Sequence, residues 1–171
     1  MTVTRTLILL RHAKSDYPAG VADHDRPLAA RGVREAGLAG DWLRAKAPAV
    51  DAVLCSTATR TRETLKQTRI DAPVEFVDRI YDATPATVID EINAVQTRFG
   101  FDVHTLLVIG HEPVMSSLVL ALAAQNGGNT DAAEQISAKY PTSAIAVLRT
   151  GDPWDQLTLG SATLVTFHVP R

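Results

Sequence analysis

Short apolar runs separated by longer amphipathic stretches set the pattern of this chain. The runs cover residues 6–10, 52–55, 74–77, 105–109, 144–148 and 163–167. Each has the length of a strand buried on both faces. Between the first two, Val33, Ala36, Gly40, Leu43 and Ala47 recur at the spacing of one helix face. Thr84 followed by Pro85 reads as an N-cap with proline in the first helical position. Val88, Ile89, Ile92 and Val95 carry that helix forward, and Gly100 stops it. Pro113 opens a further helix through Val114, Leu118 and Leu122 that ends at Asn126-Gly127-Gly128. Gly151-Asp152-Pro153 supplies turn chemistry between the last two runs, which predicts an antiparallel pair.

Strands alternating with helices predict an α/β fold with a mostly parallel sheet covered on both faces. In such a sheet the strand C-termini share one rim, and ligands bind there. With 171 residues the chain is expected to form one domain, 1–171, with a substantial core. A net charge of −2 gives no electrostatic footprint for nucleic acid or an anionic membrane. No apolar run reaches bilayer length, and the N-terminal stretch is too short for a secretory signal, so the cytoplasm is the expected address. The single cysteine, Cys55, excludes an internal disulfide framework.

What changes this picture is where the runs stop. The first surfaces as Arg11-His12, the second as Cys55-Ser-Thr-Ala-Thr-Arg60, the third as Asp78-Arg79 and the fourth as Gly110-His111. Parallel strands put all of these on one rim. The segments at 56–60 and 111–113 also lead directly into helices, whose N-termini favour anions. Arg60 and Arg62 fall in the first turn of such a helix, where a cation costs a few tenths to about 1 kcal/mol. A bound anion would reverse that sign for Arg60, while Arg62 turns to water. Two histidines and two arginines on one rim form an environment for a dianion, of which phosphate is the obvious case.

On this reading His12, as neutral imidazole, is a nucleophile, Arg11 and Arg60 clamp the non-bridging oxygens, and His111 donates to the same group. The alternatives are two inert structural histidines or a metal site. Crowded arginines and the lack of close His/Asp/Glu ligand spacing argue against a metal, so neither metal nor cofactor is expected. A cysteine phosphatase built on Cys55 is a further alternative. Four residues separate Cys55 from Arg60 and six separate it from Arg62, where such enzymes place five, and the segment lacks cradling glycines.

The stretches LLRHA, STATRTRET and VIGHEP resemble the histidine phosphatase superfamily. RHAKSDYP, DRPLAARG, YPTSAIAVL and the closing VPR resemble its small SixA-type phosphohistidine phosphatases. The similarity spans nearly the whole chain in the same motif order. It implies a three-layer α/β/α, phosphoglycerate mutase-like fold and a covalent intermediate on His12, with Arg11, Arg60 and His111 completing the pocket. Ala13 stands where the superfamily usually has glycine. Larger relatives supply a general acid on an inserted segment for which this chain has no room. Asp82 is a weak candidate for that acid, and a surface aspartate is the plainer reading. A compact rim with little roof suits a phosphohistidine presented on another protein. A small phosphorylated molecule, or a binding module that has lost turnover, are the other outcomes, and a mutase would need a more enclosed site. The long connection 13–31 hints at function. Within it Arg26 is a possible substrate-binding residue with Asp23 or Asp25 as its partner, whereas His24 and His104 read as structural or exposed.

Overall fold

Leu7 and Leu9 leave the first strand on one side and Ile8 and Leu10 on the other, and all four are fully buried. A strand with two apolar faces needs a layer on each, and that requirement organises the molecule. The computed structural model describes residues 3–123 and 127–171. Its strands are β1 (Arg5–Arg11), β2 (Ala52–Ser56), β3 (Val74–Val77), β4 (Thr105–Gly110), β5 (Ile145–Thr150) and β6 (Thr163–His168). They form one sheet in the order β3-β2-β4-β1-β5-β6. The first four strands of that order run parallel, while β5 is antiparallel to both β1 and β6. All six predicted runs are strands, and the last two pair as predicted.

Helices α1 (Ala30–Lys46) and α2 (Thr59–Thr68) close one face, packing Ala39, Leu43 and Leu65 against Ile8, Leu10, Val53 and Ile109. Helices α3 (Pro85–Asn93), α4 (Val95–Phe99), α5 (Val114–Leu122) and α6 (Thr130–Ala138) close the other. There Val88, Ile92, Val95, Met115, Leu118 and Ile136 meet Leu7, Leu9 and Leu106. The result is the predicted three-layer sandwich. Two glycines set how closely its parts approach. A Cβ on Gly40 would stand 2.1 Å from the Thr68 carbonyl oxygen, so only glycine lets α1 lie this close to the end of α2. A Cβ on Gly32 would stand 2.1 Å from the Lys14 carbonyl oxygen, which brings the start of α1 against the segment leaving β1.

Thr84 caps α3 as predicted, its hydroxyl accepting from the Thr87 N–H, and Gly100 ends α4 in the left-handed region at φ 77°. The single helix predicted across 85–100 is interrupted at Ala94. The interruption follows Asn93, whose amide donates to the carbonyls of Trp154 at 2.7 Å and Leu157 at 3.1 Å. Of the predicted stop for α5, Asn126 lies outside the described residues, and the helix itself ends at Leu122. Helix α6 carried little signal, because Ala132 and Ile136 are its buried positions. Among the described residues no helix is long and apolar enough to cross a membrane.

Candidate active site

β1 and β4 are adjacent and parallel, with Arg11 opposite Gly110. The next residue of each, His12 and His111, therefore leaves the sheet at the same level. The His12 N–H prolongs the ladder by donating to the Gly110 carbonyl at 3.0 Å. The two rings lie 5.3 Å apart between centroids, tilted by 55°. On the other side of β4, Ser56 ends β2 and stands beside His111. The predicted rim is formed, and its histidines meet because their strands are neighbours in register.

The His12 Nδ1 is 2.7 Å from the Ala13 carbonyl oxygen. A carbonyl only accepts, so the proton sits on Nδ1 and Nε2 keeps its lone pair. Burial pushes this imidazole down to about 3, opposed by the Ala13 contact and reinforced by His111, Arg11 and Arg60. The His111 Nε2 lies 2.8 Å from the Ser56 Oγ. That oxygen also accepts from the Ala58 N–H at 3.3 Å, and its own proton can turn toward Nε2. With the Ser56 hydroxyl donating, His111 carries its proton on Nδ1, which is buried and has no partner among the described residues. Burial, then Arg60, hold this ring down to about 4.

Arg60 lies in the first turn of α2 with its side chain buried. Its Nη1 donates to the Asp23 carbonyl at 2.8 Å and its Nη2 to the Asp23 Oδ2 at 3.2 Å. Asp23 therefore supplies the counter-charge that the first-turn cation needs. The Arg11 Nη1 donates to the Tyr140 carbonyl at 2.9 Å, and burial lowers its pKa. The Nε atoms of Arg11 and Arg60 are buried donors without an acceptor among the described residues, and the His111 Nδ1 is a buried ring nitrogen without a partner among them. Such donors cost about 1–3 kcal/mol each to leave unpaired.

Arg62 turns outward, its guanidinium 4.5 Å from the Phe76 ring centre. Arg26 is engaged within its own loop: Nε donates to Asp23 Oδ1 at 3.1 Å and Nη1 to Ser15 Oγ at 2.8 Å, with the guanidinium 4.1 Å from the Tyr17 ring centre. The loop 13–31 thus reaches the rim through Asp23, of the two partners considered for Arg26. Asp82 is exposed in the left-handed region at φ 54°. The residue before it makes the contact instead. Tyr81 donates its hydroxyl to Asp23 at 2.5 Å and sets its ring edge-on to His111, centroids 5.6 Å apart. The Tyr81 hydrogen bond, with Arg60 and Arg26, holds the Asp23 carboxyl down to about 2 against its own desolvation. His24 also joins this rim, its Nε2 3.0 Å from Thr57 Oγ1 and its ring edge-on to Tyr81.

Cys55 is fully buried, and burial pushes its thiol up to about 12. A thiol protonated at neutral pH inside the sheet is no nucleophile, which removes the cysteine-phosphatase alternative. Ser56 was legible only as a strand-end serine. Tyr81 carries no local signal, since its partner Asp23 is 58 residues away. Ser143 is likewise unannounced: it is buried at φ 67°, its N–H 3.1 Å from the His12 carbonyl oxygen.

Both depressed histidines have a consequence for stability. An unfolded histidine takes a proton near pH 6.5, while the folded rings refuse it until about 3 and about 4. The unfolded chain therefore binds more protons in that window. Stability present above pH 6.5 is lost progressively as pH falls toward those values. In NMR titrations the His12 and His111 Cε1–H resonances are expected to hold their neutral positions from pH 8 to 5.5 while the melting temperature falls below pH 6.5. Ordinary titration of either ring near 6.5 contradicts this.

A family model for the histidine phosphatase superfamily (branch 1) matches residues 7–83. An uncharacterized protein of Mycobacterium tuberculosis is 61% identical over 162 residues, 95% of this chain and 100% of that one. Among solved structures, a candidate phosphohistidine phosphatase SixA of Nakamurella multipartitia is 38% identical, covering 98% of this chain and 96% of its own, with a TM-score of 0.87. A candidate SixA of Agrobacterium tumefaciens is 29% identical over 97% of this chain and 99% of its own, with a TM-score of 0.77.

Proposed function

The chain belongs to the histidine phosphatase superfamily, among its SixA-type phosphatases, and on that premise we propose that it hydrolyses protein phosphohistidine through a phosphoryl-enzyme on His12. The observation that carries this reading is the pair of imidazoles 5.3 Å apart, with a lone pair free on His12 Nε2 and with Arg11 and Arg60 near enough to depress both rings. The lone pair on His12 Nε2 attacks phosphorus in line. The substrate ring, protonated from solvent on its other nitrogen, leaves as neutral imidazole with the electron pair of its P–N bond while the new P–N bond to His12 forms. Arg11, Arg60 and His111 Nδ1 hold the three non-bridging oxygens throughout, so their pairing improves as negative charge concentrates there. Water then attacks the phosphoryl group from the side the product has left, releasing inorganic phosphate and returning His12 to its starting tautomer.

No metal enters these steps. Two guanidiniums and an imidazole N–H neutralise the oxygens in place of one. The protein substrate is supported by the chemistry of its leaving group, which needs no strong enzymic acid. It is also supported by the likeness to the Nakamurella protein, a candidate phosphohistidine phosphatase. Arg26 is assigned the task of bracing Asp23 and the loop that borders the phosphate site.

A phosphorus-32-labelled phosphohistidine peptide provides the test. Rapid quenching into alkali should trap an alkali-stable, acid-labile label that maps to His12, at a rate unchanged by EDTA. An acid-stable label, loss of rate with EDTA, or higher kcat/KM for p-nitrophenyl phosphate than for the peptide would each overturn the proposal.

A further inference from the structure

Beside the phosphate site, and sharing Arg11 with it, lies a recess of about 270 Å³. Arg11, Lys14, Arg31, Lys139 and Arg171 line it together with Pro141 and Thr142. These cations come from separate places: the segment leaving β1, the first turn of α1, the connection between α6 and β5, and the last residue. Five of the chain's seventeen lysines and arginines thus converge on one depression of a protein whose net charge is −2. Such a concentration is self-repelling and is maintained only against a cost.

The acid that answers them is Glu35, almost fully buried behind the recess. It is committed to two of the five, accepting from Arg31 Nε and from Arg171 Nη1. Lys14 and Lys139 have no carboxylate partner among the described residues; the Lys14 ammonium lies 5.9 Å from the Tyr17 ring centre. Arg11, which directly precedes His12, donates to the Tyr140 carbonyl and has no carboxylate partner among the described residues. What the recess offers a ligand is therefore two exposed ammonium groups in a positive field.

We propose that this recess is a docking subsite for carboxylate side chains that flank the phosphohistidine on a protein substrate. The proposal rests on the phosphohistidine reading above and adds a preference to it. Because Arg11 lines the recess and directly precedes His12, a group held in the recess lies beside a phosphoryl group presented to His12, within reach of the same substrate. The guanidinium forks of Arg31 and Arg171, which would grip a second phosphate in fixed geometry, already point at Glu35. The remaining donors sit on flexible stems, which suits carboxylates carried on equally flexible side chains. Complementarity of this kind raises encounter rates and weakens with salt.

Two phosphohistidine peptides decide the matter, one with glutamates on both sides of the phosphohistidine and one with glutamines there. At low salt the protein should favour the glutamate peptide in kcat/KM by about five- to tenfold, shrinking toward unity at 0.5 M NaCl. The Lys14→Gln/Lys139→Gln variant should lose that preference and keep its turnover of p-nitrophenyl phosphate. Equal turnover of both peptides, or a preference that survives in the variant, overturns the subsite. If neither peptide is hydrolysed while p-nitrophenyl phosphate is, the phosphohistidine reading fails by itself. Fluorescence anisotropy of the labelled, unphosphorylated glutamate peptide then decides the recess. Salt-sensitive binding lost in the variant upholds it, and absence of binding overturns it. Displacement of that peptide by a lower concentration of inorganic diphosphate reassigns the recess to small polyphosphates and overturns the proposal.

Discussion

Replacing His12 by alanine is expected to lower kcat on p-nitrophenyl phosphate by at least about 10⁴-fold and to abolish the trapped phosphoryl label. The size of the effect follows from the lack of a substitute nucleophile. The thiol of Cys55 is buried and protonated. His111 has its Nε2 engaged by Ser56. Because the His12 ring is itself buried, truncation leaves a cavity, so His12→Asn should be measured alongside, with melting curves to establish that both variants are folded. A folded variant that keeps more than about a hundredth of the activity would place the covalent intermediate elsewhere.

Arg60→Ala is expected to cost about 10²- to 10³-fold in kcat/KM, the magnitude found when one preorganised donor to a developing oxyanion is removed. Lysine should not restore it, since an ammonium cannot reproduce a guanidinium that serves Asp23 and the phosphoryl group at once. The Asp23 carboxylate makes this prediction sharper. It pairs with Arg60 directly, so it competes with phosphate for the same cation. Asp23→Asn should accordingly tighten inhibition by inorganic phosphate a few-fold, opposite in direction to Arg60→Ala. Two variants that shift phosphate affinity in the same direction would show that the Asp23–Arg60 contact supports the loop and not the anion site.

Much of the fold was legible because burial of a central strand is written locally. Any short run such as Leu7 to Leu10 with no polar face must be covered on both sides, and its position needs no knowledge of its neighbours. Helix ends were legible where a single residue carries the reason, as at Thr84 and Gly100. They failed where the cause is tertiary: Asn93 is tied to Trp154 and Leu157, and the helix interruption follows it. Likewise α6 commits two buried residues to the core, too few for a periodic signal.

The site divides in the same way. That Arg11, His12, Arg60 and His111 stand at the ends of buried segments is a property of the chain alone, because a cation or a titratable ring directly after an apolar run marks where that run reaches the surface. Which of those ends meet was decided by the sheet. Apolar strands are nearly interchangeable in composition, and only the order β3-β2-β4-β1-β5-β6, with Arg11 opposite Gly110, places the two imidazoles together. Tertiary structure also selected the partners that tune them. Ser56 engages the His111 ring, and Asp23 with Tyr81 balances Arg60. A hydrogen bond depends on a few tenths of an ångström between groups tens of residues apart. Local sequence pattern holds no record of such distances.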